Sequence, residues 1–273
     1  MLQLRVLGAA SLGDEAGGEV YLTQPKRLAL LAVLAVAPPP RVVRRDTLVA
    51  LFWPELDHLH ARASLRQAVH ALRAVVGAHA LVSFGDEELR LAPGHLWCDV
   101  EAFESLLRNG RLSDALDLYR GDFLEGFFIS GAPGFERWVE QLRSRLCAQA
   151  FAGAQALVEQ HQCSTPELAA FWARRALTLA PYDEVVLRRL IALRARLGDR
   201  VGAIHAYEEF SRHVALDLGV EPSEETKELV RALHGGGKSD RSEFDTRQVN
   251  PGVNVGGARG AGPPVRRRRR SQA

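Results

Sequence analysis

The chain has 273 residues, 47% of them hydrophobic, with 35 Lys/Arg against 33 Asp/Glu and a formal charge of +2; this is a globular composition with room for two domains. No apolar run reaches the roughly 20 residues that span a bilayer, "MLQLRVLG" lacks a charged leader before an apolar core, and three widely spaced cysteines without a CxxC argue against a disulfide framework or zinc site and for a reducing cytoplasm. From Lys238 onward nine Lys/Arg face three acids, so the tail carries +6 and everything before it −4.

In chain order, "LQLRVLG" and "VYLTQ" alternate apolar and polar residues and are expected to form a small edge sheet. "QPKRLALLAVLAV" places Pro25 at a helix start and stops at Pro38-Pro39-Pro40. "RRDTLVALFWPE" predicts a second short helix, ended by Pro54, with Asp46 as its cap or first-turn acid. A third, longer helix follows in "HARASLRQAVHALRAVVG", closed by Gly77. "ALVSFGDEELRLAPG" alternates on both sides of Gly85-Asp86, which signals a β-hairpin. Three helices and a hairpin are the order of a winged helix-turn-helix.

The third helix contains no acid, although the chain before the tail is net acidic. At roughly 100° per residue, Arg62, Arg66 and Arg73 fall within about 40° of one another, with His70 beside them and Gln67 further round. Ala61, Leu65, Ala68, Leu72, Val75 and Val76 occupy the neighbouring arc. A helix with one core face and one basic face fits the major groove of double-stranded DNA, where arginine takes both acceptors of guanine and glutamine pairs with adenine. Arg90 on the hairpin supplies a cation for a phosphate or minor groove. Lys26, Arg27, Arg44 and Arg45, near the starts of the first two helices, are candidate phosphate contacts.

From about Trp97 the pattern is helical, beginning with "DVEAFESLLRNG" from an Asp cap to a terminal Gly. Ala169 and Ala203 lie 34 residues apart, as do Ala173 and Tyr207, and Pro181 and Pro222 sit between paired helices. This is the period of a tetratricopeptide helix pair; an earlier copy is conceivable near Leu112 to Tyr119. After Gly235-Gly236-Gly237 the composition turns to Gly, Arg, Pro and Ser, which reads as a disordered tail, and Arg266 to Arg270 would attract any polyanion. The fold expected is mainly α with a small β component: a winged helix DNA-binding domain over 1–95, a tetratricopeptide-like helical domain over 96–235 and a basic tail over 236–273.

The stretches "KRLALLAVLAV", "RDTLVALFWPE", "ARASLRQAVHALRAVVG", "DEELRLAPG", "DVEAFESLL" and above all "LYRGDFLEGFFISGAPGFERWVEQLRSRL" resemble the antibiotic regulatory protein (SARP)-type bacterial transcriptional activators over about residues 1–234. These couple an OmpR-type winged helix to a bacterial transcriptional activator domain. The resemblance implies a cytoplasmic, nucleoid-associated activator that binds repeated promoter sites, self-associates side by side on DNA and recruits RNA polymerase holoenzyme. Val43 departs from the family pattern, where a polar cap is commoner, as does His70, where Tyr is frequent; the larger relatives continue into an ATPase domain.

Other motifs carry less. "ALHGGGKS" (Ala232 to Ser239) fits a loose phosphate loop but follows a helix rather than a buried strand. Asp57-His58-x-His60 lacks a third metal ligand, no HExxH or nucleophile elbow occurs, and Trp138 and Trp172 at helical spacing read as packing residues. No enzyme, cofactor or metal is expected. The competing reading is a protein-interaction scaffold whose winged helix does not bind specific DNA, and a further rival is a nucleotide switch using Lys238.

Overall fold

The computed structural model describes residues 1–235, apart from positions 17 and 23. The basic tail and Lys238 lie outside the described residues. Strands β1 (Leu2–Arg5) and β2 (Ser11–Asp14) form an antiparallel pair. Three helices follow: α1 (Pro25–Ala35), α2 (Arg45–Phe52), introduced by the short β3 (Val42–Arg44), and α3 (His58–Val76). The hairpin β4 (Leu81–Phe84) and β5 (Glu88–Leu91) pairs with β3 in the order β3-β5-β4. Then β6 (Leu96–Cys98) returns to run parallel to β1. This is a winged helix. One expected strand is displaced: the isolated bridge from Gly13 to Glu19 falls just before "VYLTQ", whose Val20 N–H donates to the Leu12 carbonyl (2.8 Å), and the partner of β1 is Ser11–Asp14.

Local chemistry sets the ends of α3. The Asp57 carboxylate accepts from the backbone N–H of Leu59 (3.0 Å) and His60 (3.1 Å), which satisfies two of the donors a helix start leaves unpaired. At the other end Gly77 adopts φ 100°, a conformation costly for any residue with a Cβ. Between them Ala61, Leu65, Ala68, Val69, Leu72 and Val76 are buried.

The remaining helices are α4 (Asp99–Arg108), α5 (Leu112–Leu118), α6 (Pro133–His161), α7 (Pro166–Leu179), α8 (Glu184–Arg196), α9 (Arg200–Leu218) and α10 (Glu224–Gly235). Asp99 is not the cap of α4 but its first residue, and it is buried. Its carboxylate reaches back to the backbone N–H groups of Val6 (2.8 Å) and Leu7 (2.9 Å) at the end of β1. Burial pushes its pKa up, against the lowering effect of these bonds. Helices α7 and α8 flank Pro181 and helices α9 and α10 flank Pro222, with Ala169, Ala173 and Ala203 fully buried at the close contacts. Small residues at these places let the helix axes approach, as the 34-residue period demands. The seven-residue α5 packs against α4 and α6 and is separated from α6 by an irregular loop over 119–132.

One hydrophobic cluster runs from Leu4 to Leu193, and a smaller one joins Leu187, Ile191, Phe210, Val214 and Val230. The winged helix and the helical region share the larger. Phe52 of α2 meets Phe135 of α6 with ring centroids 5.2 Å apart, both fully buried; truncating a ring in such a place typically costs about 3–5 kcal/mol. The loop between α5 and α6 joins the two regions a second way. Leu124 N–H donates to the Val6 carbonyl (2.8 Å) and Glu125 N–H to that of Gly8 (3.0 Å). Arg143 holds the same loop through the carbonyls of Phe123 (2.8 Å) and Leu124 (2.7 Å). The stretch "LYRGDFLEGF" is thus a latch between winged helix and helical region.

Candidate nucleic-acid interface

The basic face of α3 looks across to the hairpin. Arg62, Arg66 and Arg73 of α3, together with Arg45 from the start of α2, line one open concavity of about 410 Å³, with Asp86 at the hairpin tip. Their side chains have different fates. Arg62 pairs with Asp46 (2.7 Å) and Glu87 (3.3 Å) and donates to the Asp86 carbonyl (3.1 Å). Asp46 in turn holds the Arg62 guanidinium above the ordinary arginine pKa. Arg73 donates through Nε (2.9 Å) and Nη2 (2.8 Å) to the Leu81 carbonyl, and Nη2 also reaches Ser83 Oγ (3.0 Å). These two arginines fasten α3 to the hairpin and to α2.

Arg45 also donates to Ser83 Oγ (3.0 Å). Burial first, and then the guanidiniums of Arg73 and Arg62, push its pKa down. Arg66 is exposed and, among the described residues, makes no hydrogen bond or ion pair. The site therefore concentrates like charge: Asp46 and Glu87 are committed to Arg62, leaving Arg45, Arg66 and Arg73 without a carboxylate partner. An anion entering this concavity would relieve that repulsion, and phosphate or a guanine edge suits forked guanidinium donors.

The other expected residues are distributed around this centre. His70 is exposed on α3, one turn beyond Arg66. Gln67 is exposed on the flank toward the start of α1, where it borders a second depression with Lys26, Arg27, Ser64 and Phe128. Lys26 itself is engaged: Nζ donates to the Phe52 carbonyl (2.5 Å) and lies 3.5 Å from Glu55. Arg44 is exposed and caps α2 by backbone conformation only. Arg90 stacks on the Phe84 ring, 4.9 Å from its centroid, so the hairpin cation rests on an aromatic plane. The hairpin tip itself, Asp86-Glu87-Glu88, is acidic.

Two contributors were not foreseen. Ser83 is the common acceptor of Arg45 and Arg73; a lone serine on a strand carries no sequence signal for this. Leu59, in the first turn of α3, is 79% exposed beside the basic face, and an apolar side chain there suits a thymine methyl. His60 Nδ1 sits 2.5 Å from Asp57 and His58 Nε2 3.7 Å from Asp46, so both histidines serve the α3 entrance.

A winged helix fused to stacked helix pairs, with arginines gathered on its third helix, defines the class of a transcriptional regulator. The profile of the bacterial transcriptional activator domain matches residues 98–234, half of the chain, and the chain belongs to that family as a SARP-type regulator. It is 26% identical over 254 residues to the transcriptional regulatory protein MoaR1 of Mycobacterium bovis (strain BCG / Pasteur 1173P2), covering 85% of this chain and 78% of that one. Against MoaR1 of Mycobacterium tuberculosis (strain ATCC 25618 / H37Rv) the identity is 25% over 256 residues, with the same coverage. Among solved structures it superposes on Mycobacterium tuberculosis EmbR in complex with a low-affinity phosphopeptide, with a TM-score of 0.59 and 24% identity. That match covers 85% of this chain, which spans 65% of the EmbR chain.

Proposed function

We propose that this regulator is a sequence-specific DNA-binding activator, with residues 1–95 as its DNA-binding part and 96–235 as the part that meets other proteins. The observation that carries the reading is the convergence of Arg45, Arg62, Arg66 and Arg73 on one open concavity, where most of their charge lacks an acidic partner. In this reading Arg66 contacts base or phosphate directly. His70 and Gln67 read bases on its flanks, and Arg62 and Arg73 hold α3 at the angle the groove requires. Arg44 and Arg45 face the backbone at the start of α2, and Arg90 serves from the hairpin, clear of the acidic tip.

Recruitment of RNA polymerase, pairing of protomers on repeated sites and a cytoplasmic, nucleoid-associated life follow from the family resemblance. The reading assigns no catalysis, cofactor or metal to the chain. No helix among the described residues is long and apolar enough to cross a membrane.

The test is genome-wide mapping of bound fragments followed by a salt-titrated binding assay on the recovered sites. Recovered direct repeats spaced near one helical turn, bound far more tightly than scrambled DNA, are the expected result. Equal affinity for all sequences, or none for any, would leave the interaction scaffold as the better reading.

A further inference from the structure

A second concavity of about 730 Å³ lies where the winged helix meets the helical region, and none of its lining residues borders the α3 concavity. Its size and its place at a junction of two regions are those of small-molecule sites. Val36 and Pro38 after α1, Leu51 of α2, and Trp138 and Leu142 of α6 provide apolar walls. Two ion pairs border it: Arg41 Nη1 to Glu101 Oε2 at 3.0 Å, and Arg145 Nη2 to Glu104 Oε1 at 3.1 Å. Their charges cancel. Arg44 and Arg108 also line the cleft, are exposed, and have no ion pair or hydrogen bond among the described residues. The cleft therefore combines apolar walls with a surplus of two positive charges.

We infer that this cleft binds a small amphipathic anion, with an apolar or aromatic body against the Trp138 wall and a carboxylate or sulfonate head drawn to the arginine rim. A neutral apolar molecule would leave the rim's surplus charge unanswered, and an inorganic anion would leave the walls wet. The site also touches the machinery of the α3 face. Thr47 and Leu51 of α2 line it, while Arg45, the first residue of that eight-residue helix, lines the α3 concavity. Occupancy thus bears on the element that carries Arg45, and the ligand acts as an effector of DNA binding. This last step rests on the function proposed above; binding itself does not.

The full chain is titrated with 8-anilinonaphthalene-1-sulfonate, and the bound probe is competed with decanoate or with decanol. Saturation at one equivalent is expected, with displacement by decanoate at least about tenfold more effective than by decanol. Gln141→Trp, which fills the cleft from an exposed position, and Arg108→Glu, which reverses an exposed rim charge, should each weaken probe binding about tenfold or more, roughly 1.4 kcal/mol, with unchanged thermal melting. Binding at several equivalents, indifference to both variants, or equal displacement by decanol would overturn the site. DNA affinity is then measured with and without decanoate: a change of about threefold or more that vanishes in Gln141→Trp supports the coupling, and an unchanged affinity in a protein that binds decanoate overturns it. A chain that binds decanoate but no DNA refutes the proposed function and leaves the ligand site standing.

Discussion

Helices α3 and α8 both look basic on paper, and the structure treats them differently. α8 contains Arg188, Arg189, Arg194 and Arg196 within 13 residues, a denser run than Arg62, Arg66 and Arg73 in the 19 residues of α3. In α8, however, Arg188 meets Glu184 (3.6 Å) and Glu225 (3.2 Å), Arg189 meets Glu159 (3.6 Å), and Arg194 meets Asp199 (3.2 Å). Arg196 sits in the last turn, where the helix dipole favours a cation. Of the arginines of α3 only Arg62 has carboxylate partners, and a fourth guanidinium, Arg45, is brought in from α2. What separates a solvated, self-neutralised helix from a face of unpaired positive charge is the supply of acids around it, not the number of arginines on it.

The sharpest way to break this contrast is to change one arginine on each helix. Arg66→Ala should weaken binding to a recovered site by about 10- to 100-fold, the worth of a direct base contact of roughly 1–3 kcal/mol. If Arg66 meets a phosphate instead, the salt slope should fall by about one unit. Arg189→Ala should leave DNA affinity within about twofold, since surface ion pairs contribute little beyond themselves. Equal losses in fluorescence anisotropy titrations of the two variants would end the distinction.

Arg73→Ala tests whether a tethered arginine acts through the fold. Losing the charged donor to the Leu81 carbonyl should lower stability by about 1.5–3 kcal/mol in urea unfolding, with DNA affinity falling alongside. Unchanged stability would make Arg73 a free DNA contact.

The corresponding anchor in the helical region is Glu184, which accepts from Ser223 N–H (3.0 Å), Ser223 Oγ (2.5 Å) and Thr226 Oγ1 (2.6 Å) and so fastens the start of α10. Glu184→Ala should cost about 1–2 kcal/mol of stability and leave DNA binding alone; a loss of DNA affinity without a loss of stability would contradict this.

The smallest effect is in pH. Burial acts to raise the Glu184 pKa, but the hydrogen bonds from Ser223 and Thr226 outweigh it and hold the carboxyl below the usual range. Its contribution is then complete above the unfolded value of about 4.3 and disappears as the pH falls through the native one. The stability gap between wild type and Glu184→Gln should accordingly narrow from pH 6 to pH 3. A gap that widens on acidification would reverse the sign.

Much of this was legible in the residues. Gly77 marks the end of α3, and Pro181 and Pro222 mark the turns of the helix pairs, because caps and prolines act locally; the cap at Asp57, three residues before the His60 start read from the sequence, was not foreseen. The apolar arc of α3 is buried as its periodicity requires, except that Val75 is half-buried and Val69 joins the core. The division of the basic stripe was not legible. Angles around a helix place Cα atoms, whereas the arginine tips find acceptors on Asp46, Leu81, Ser83 and Glu87, which other elements supply. Gln67 likewise lies further round than the arginines and borders a different depression. The second strand was misplaced because "SLGD", with one large apolar residue, carries almost no alternation, whereas the alternating "VYLTQ" comes after it and meets β2 through Val20. No local pattern tells a buried acid that serves a distant backbone, such as Asp99, from a helix cap.

The pairing of β6 with β1, sealed by Asp99, bears on how such regulators can be taken apart and recombined. A fragment ending at residue 95 would leave β1 without its parallel neighbour, and the amides of Val6 and Leu7 without their acceptor. A graft of this winged helix onto another body therefore carries its joint at least past Asp99, and the latch loop sets a second seam at Leu124 and Glu125. Interchange of heads among relatives then amounts to exchanging matched seams as well as helices. A winged helix cut at the apparent composition boundary would arrive frayed, whatever its arginines meet.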